Sequence, residues 1–188
     1  MEFDLVILGC GSAGIEAAKE ALGYKKRVLC IDKSPLHIGG TCLNRGCVPT
    51  KHLREGAYLT EKISHGGFYG LSTSLGKVDI LSAIGSAKEK VIIPIREATF
   101  KYLSKRGVEF LFSKRVYFLD RNTLSVDGRK VKSQYFLIAT GSSPAAVPNV
   151  VPDGEYIVDT DSFWNIEEVP RKAVIVGGAY RGLNSPIS

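Results

Sequence analysis

Residues 3–14 read FDLVILGCGSAG: an apolar run, a glycine-rich turn and the start of a periodic apolar segment. The run 3–8 has the length and β-rich composition of a buried strand, and it stops at Gly9. Residues 12–24 place Ile15, Ala18 and Leu22 at helical spacing, and 27–32, RVLCID, form a second β-rich run. Strand, helix and strand in that order make a βαβ unit, in which the two strands lie parallel and the helix crosses over. The fold class that follows is α/β with a Rossmann-like sheet.

The turn itself, Gly9-Cys10-Gly11-Ser12-Ala13-Gly14, fits G-x-G-x-x-G between strand and helix. Gly9 suits the tight turn, Gly11 lets backbone approach a pyrophosphate, and Gly14 lets helix pack closely on strand. The helix start, with Ser12 and Ala13, offers free N–H groups and a positive dipole end to phosphates. Asp32 closes the second run 18 residues beyond Gly14, where a carboxylate can reach an adenosine ribose. A strand–helix turn with no ligand is the plainer reading. The agreement of strand, helix, second strand and acidic residue favours dinucleotide binding. The loop alone suits FAD and NAD equally.

Working outward, residues 48–64 read as a helix with Pro49 in its first turn, where proline is tolerated. Residues 79–105 read as a longer helix through Ile80, Ile84, Val91, Ile95 and Tyr102, with Pro94 predicting a kink or break. Three short alternating runs, VEFLF, RVYFLD and TLSVDG, suggest a small β-meander with turns at 120–122 and 127–128. Residues 135–139, YFLIA, form a fully apolar strand that stops at Thr140-Gly141. Pro144, Pro148, Pro152 and Pro170 mark a linker, after which 173–176 read as another buried strand leading into Gly177-Gly178.

Composition sets the class. With 44% hydrophobic and 23% charged residues, the chain has the profile of a globular domain and not of a disordered one. No stretch approaches the ~20 continuous apolar residues of a membrane helix. The N-terminal residues, acidic at Glu2 and Asp4, do not resemble a secretion signal, so a cytoplasmic location is expected. The net charge of +6 comes from scattered pairs such as Lys25-Lys26 and Arg171-Lys172. Without clustering it makes a solvated surface, and no nucleic-acid partner is expected.

Cys42 and Cys47 are separated by Leu-Asn-Arg-Gly and followed by VPTK. As zinc ligands they would need two more, and Cys10, Cys30, His37, His52 and His65 supply no second spaced pair, so no metal is expected. As structural cysteines they would sit in apolar runs, as Cys30 does. A redox pair fits better. Both lie where a glycine-rich loop enters a helix, helix N-termini favour thiolate, and one thiol of a pair can resolve a mixed disulfide. Cys10 and Cys30 read as small apolar fillers.

The segment 39–51, GGTCLNRGCVPTK, closely resembles the active-site signature of the class I pyridine nucleotide-disulfide oxidoreductases, and the form LNRGCVPTK is most similar to that of dihydrolipoamide dehydrogenases. Asp32-Lys33 before IGG, and Ala139-Thr140-Gly141-Ser142 after an apolar strand, are further family marks in the right order. The resemblance implies a three-layer, Rossmann-like FAD-binding domain carrying the β-meander. The implied boundaries are a FAD-binding domain over 1–146, a proline-rich linker over 147–171 and the start of an NAD(P)-binding domain over 172–188.

It further implies that Gly9, Gly11, Ser12, Ala13, Gly14, Asp32 and Lys33 hold the ADP part of FAD. Gly40, Thr41 and Gly46 would line the flavin, Lys51 would approach its reactive ring nitrogen, and Ala139, Thr140, Gly141 and Ser142 would close the site. Cys47 would face the flavin and Cys42 would meet the substrate. Electrons would pass from a small-molecule or lipoyl-type dithiol to the Cys42–Cys47 disulfide, to FAD and to NAD. Mercuric and glutathione reductases of the same class are the alternative, as is a non-catalytic FAD-binding remnant that complements a separate C-terminal half.

The sequence also departs from the family pattern. Asp32 stands where a longer Glu is common. In the second glycine motif Ala179 replaces a glycine, Arg181 and Asn184 stand where an apolar residue and a glutamate are usual, and Pro186 interrupts the helix that should follow. Lys51 would then lack its usual carboxylate partner. The family's NAD domain, dimer-forming domain and His–Glu base lie beyond these residues. The expectation is an N-terminal fragment that does not turn over alone, with a homodimer only for the full-length form. His37 and His52 read as surface residues.

Overall fold

A computed structural model describes residues 1–145 and 147–177. They form two compact units. One takes Met1–Asn44 and Pro94–Ser143, the other Arg45–Ile93 and the segment that begins at Pro144.

The first unit is built on β1 (Glu2–Leu8), α1 (Ser12–Gly23) and β2 (Val28–Asp32), with β1 and β2 parallel from Leu5↔Val28 to Leu8↔Ile31. This is the βαβ unit expected from residues 3–32. Next come α2 (Gly40–Arg45), α3 (Cys47–Ser64), α4 (Ile80–Ser86), α5 (Ile93–Lys105), β3 (Glu109–Phe112), β4 (Val116–Asp120), β5 (Thr123–Val126) and β6 (Arg129–Ile138). The sheet order is β3-β2-β1-β6-β5-β4.

The α/β class and Rossmann-like sheet hold, with one correction. VEFLF does not join the meander: β3 pairs parallel with β2, from Leu29↔Glu109 to Asp32↔Phe112. The reason is topological. The helix α5 precedes β3, and a helical crossover delivers the next strand parallel to its neighbour. The meander is β4–β5–β6, closed between β5 and β6 by Asp127 and Gly128, both at positive φ, the signature of a two-residue hairpin turn. The YFLIA strand is also longer than its apolar part. The first residues of β6 pair antiparallel with β5, and from Lys132 onward it runs parallel to β1.

Alternate side chains of β1 and β2 feed two cores. Ile7, Val28 and Cys30 pack with Ile15 and Ala18 of α1 and Leu103 of α5. Val6, Leu29 and Ile31 pack with Leu124, Val126 and Val131 of the meander. Helices, parallel strands and meander are thus the three layers.

In the second unit, α3 and α4 pack Leu53 and Ile84 against Phe163 and Trp164 of a short 3₁₀ turn. Trp164 Nε1 donates to the Arg45 carbonyl at 2.8 Å, and the Arg45 guanidinium pairs with Asp161 at 3.1 Å.

The helix expected over 79–105 is interrupted just ahead of Pro94. A π-helical segment, Ala87–Ile92, joins α4 to α5 just before it. Proline lacks an N–H and its ring crowds the carbonyl four residues back, and a wider turn accommodates both.

Residues 173–176 correct another expectation. They form no strand, and Val174 is 91% exposed. An apolar run becomes a strand only where a neighbour completes its hydrogen-bond ladder, and no described strand pairs with this one. From Gly178 on, the second glycine motif lies outside the described residues. Among the described residues, no helix is long and apolar enough to cross a membrane.

Candidate functional site

Three connections meet at the C-terminal ends of β1, β2 and β6. They are held by backbone bonds: Gly9 N–H to the Ile31 carbonyl at 2.7 Å, Ala139 N–H to the Leu8 carbonyl at 2.8 Å, and Gly39 N–H to the Cys10 carbonyl at 2.9 Å. Crevices beyond the carboxyl ends of parallel strands are where open α/β sheets bind ligands.

The glycine loop is shaped by close approach. A Cβ on Gly14 would overlap the Gly9 carbonyl, so α1 can start this close to β1 only with glycine there. Gly11 caps α1 without a side chain, the first turn of the helix contains no acidic residue, and Ser12 and Ala13 are exposed. That end of α1 therefore presents backbone N–H groups and the positive end of the helix dipole. Across from it, Gly40 has φ +64°, and a Cβ there would stand 2.7 Å from the Gly11 Cα. Thr41 follows on α2, partly buried.

Asp32 ends β2 with its side chain 12% exposed. One carboxylate oxygen accepts the Cys10 N–H at 2.7 Å. The other accepts the Lys33 N–H at 2.6 Å and lies 3.3 Å from His37 Nδ1. The carboxylate is thus turned onto the glycine loop, a role the sequence did not disclose, and His37 is its neighbour instead of an isolated surface residue. Lys33, Thr140, Gly141 and Ser142 are exposed around the same strand ends, and Ala139 is partly buried.

Two further residues were missed. Asn44 Nδ2 donates to the carbonyls of Ile38 and Gly40, and its Oδ1 accepts from Arg96. Asn44 was visible within the quoted motif. Nothing in the sequence pointed to Arg96, which lies 52 residues away on α5.

All four cysteines are thiols. Cys10 and Cys30 are buried, and a hydrogen bond with Cys30, then burial, hold the Cys10 thiol far above its usual range. It stays protonated and unreactive, as expected of a filler. Cys42 is partly buried on α2, whereas Cys47 is exposed as the first residue of α3, after Gly46, which provides no side-chain cap. Lys51 is exposed one turn further along α3. Among the described residues no group of three or more His, Cys, Asp or Glu converges to hold a metal ion.

The family model of the pyridine nucleotide-disulphide oxidoreductases matches residues 3–185. The chain belongs to this family. Among its relatives in the pyridine nucleotide-disulphide oxidoreductase family, the chain is 36% identical to dihydrolipoyl dehydrogenase of Bacillus subtilis over 95% of its own length and 39% of that protein's. It is 32% identical to mercuric reductase of Lysinibacillus sphaericus, over 96% of the chain and 33% of that protein. The HOCl-induced flavoprotein disulfide reductase RclA of Escherichia coli superposes with a TM-score of 0.78 at 26% identity, over 96% of this chain and 38% of that one. The chain therefore spans less than two fifths of the length of these relatives.

Proposed function

We propose that the chain is the FAD-binding part of a flavoprotein disulfide oxidoreductase of the dihydrolipoamide dehydrogenase type. The observation that carries this reading is the cradle at the start of α1, where Gly11 and Gly40 face each other without side chains. Its features suit the ADP part of FAD. The two backbones pack together there with no side chain between them, the helix end has no side-chain cap, and no carboxylate in the first turn repels phosphate. Gly9, Gly11, Ser12, Ala13 and Gly14 would bind the pyrophosphate through backbone N–H groups. Asp32 would hold the loop through Cys10 and use its remaining lone pairs for the ribose, with Lys33 beside it. Gly40, Thr41, Gly46 and Lys51 would serve the flavin, and Ala139, Thr140, Gly141 and Ser142 would close the site.

Cys42 and Cys47 would cycle between disulfide and dithiol. A substrate thiolate attacks the sulfur of Cys42, the Cys42–Cys47 bond breaks, and Cys47 leaves as thiolate. The second substrate thiol, once deprotonated, then displaces Cys42 from the mixed disulfide. The substrate leaves as a disulfide, two electrons richer cysteines remain, and the protons lost by the substrate pass to solvent or to the enzyme thiols. When bound, FAD supplies a two-electron acceptor for this dithiol.

In a full-length protein of this type, NAD(P) would be the final acceptor, a small-molecule or lipoyl-type dithiol the substrate, and the enzyme a cytoplasmic homodimer. The domains would be FAD-binding over 1–146, linker over 147–171 and NAD(P)-binding from 172. A mercuric reductase-type activity is the second reading, favoured by the 32% identity to that enzyme.

The test is purification and titration with FAD. A yellow protein, or apoprotein that takes up one FAD per chain, is the expected result. Colourless protein that rejects added FAD overturns the reading.

A further inference from the structure

Gly39 and Gly40 are consecutive residues at positive φ, +91° and +64°. Such a turn is not held by a regular hydrogen-bond ladder, yet its backbone must stay against Gly11. Asn44 bridges it. Its Nδ2 donates to the carbonyl before the turn, Ile38 at 3.0 Å, and to the carbonyl at its end, Gly40 at 2.8 Å. Arg96 donates to Asn44 Oδ1 at 3.1 Å and to the Leu36 carbonyl at 3.4 Å.

Donor chemistry fixes the orientation of this amide. Guanidinium only donates and backbone carbonyls only accept, so the Asn44 oxygen must face Arg96 and its NH₂ must face the turn. Asn44 belongs to α2, the helix that also carries Cys42.

We infer that Arg96, acting through Asn44, is a positioning residue that holds the Gly39–Gly40 turn against the phosphate-binding loop and so sets cofactor affinity. This rests on the FAD reading above. Arg96 touches neither cofactor nor substrate in this role. It holds the amide, the amide holds the turn, and the turn forms one wall of the cradle. Because Arg96 reaches the turn chiefly through Asn44, its contribution should largely vanish once Asn44 is gone, and removing both should cost less than the sum of the two single losses.

The test uses the full 188-residue chain, with FAD titration and amide hydrogen exchange as separate readouts. Arg96→Ala should weaken FAD binding about tenfold, the range of one charge-assisted hydrogen bond. Arg96→Lys should restore part of that loss. Asn44→Asp keeps an acceptor for Arg96 but has no donor for the two carbonyls, so it should weaken binding at least as much as Arg96→Ala. The Arg96→Ala/Asn44→Ala double variant should lose less than Arg96→Ala and Asn44→Ala summed.

Without FAD, Arg96→Ala should speed exchange in peptides covering 36–44 and leave those covering 116–132 unchanged. Additive losses in the double variant, full affinity in Arg96→Ala, or unchanged exchange over 36–44 would each overturn the inference. The cofactor reading would survive these, since the parent chain would still bind FAD. A parent chain that binds no FAD overturns both.

Discussion

Gly11 and Gly40 meet backbone to backbone: a Cβ on Gly40 would stand 2.7 Å from the Cα of Gly11, whereas a Cβ on Gly11 would lie an ordinary 3.5 Å from the Cα of Gly40. The two positions are therefore not equivalent. Gly40 is required by its conformation as well as by its neighbour, whereas a Cβ on Gly11 would meet only ordinary van der Waals contact.

Gly40→Ala should destabilise the chain by roughly 1–3 kcal/mol, because it combines a positive φ with a steric conflict. Gly11→Ala should cost less than about 1 kcal/mol of stability, since alanine is only a poorer helix cap than glycine. It should nevertheless weaken FAD uptake, as its methyl group projects from the cap of α1. Thermal melts of the apoprotein and flavin titrations separate the two effects. Equal destabilisation by both would contradict the asymmetry.

Alkylation of the native chain at neutral pH should label Cys47 and spare Cys10 and Cys30. Cys47 is exposed, while the other two are about 1% exposed and Cys10 is held protonated by its neighbour and by burial. Peptide mass spectrometry counts the labels at each site. Labelling of Cys10 without denaturant would show that the core beneath the glycine loop opens readily.

Two-electron reduction of the FAD-loaded chain should produce a long-wavelength absorbance band from a thiolate beside the flavin. Cys47→Ser should remove it and Cys42→Ser should not. Persistence of the band in Cys47→Ser would reverse the proposed roles of the two cysteines.

Asp159 gives a pH prediction in the second unit. The Ser162 N–H, the Ser162 hydroxyl and the Asp161 N–H bond to its carboxylate and hold it below the ordinary value of 3.8. A carboxylate favoured in the folded state stabilises above its unfolded pKa, and the gain is lost as pH falls through the folded value. The turn over 159–162 should thus loosen only below pH 3.8. Trp164, the sole tryptophan, lies two residues further on and reports the change by fluorescence. Asp159→Asn should remove that acid transition. A transition of the same size and midpoint in the variant would assign it to another group.

The sequence by itself determined the βαβ unit and the glycine loop. Strand, turn and helix there are local patterns, with periods of 2 and 3.6 residues and a turn that glycine makes possible. It also singled out Cys42 and Cys47, because their spacing and the residues around them are contiguous.

What the sequence could not determine was partnership across distance. VEFLF alternates like a meander strand, yet the parallel edge beside β2 claims it, since α5 delivers the chain there. Residues 173–176 are as apolar as a buried strand and still lie exposed, since a strand exists only where another completes its hydrogen bonds. Likewise, no local pattern connects Arg96 to Asn44 across 52 residues, or turns Asp32 onto Cys10. Only the packing of α5 and the closure of the loops bring these polar groups within hydrogen-bonding reach.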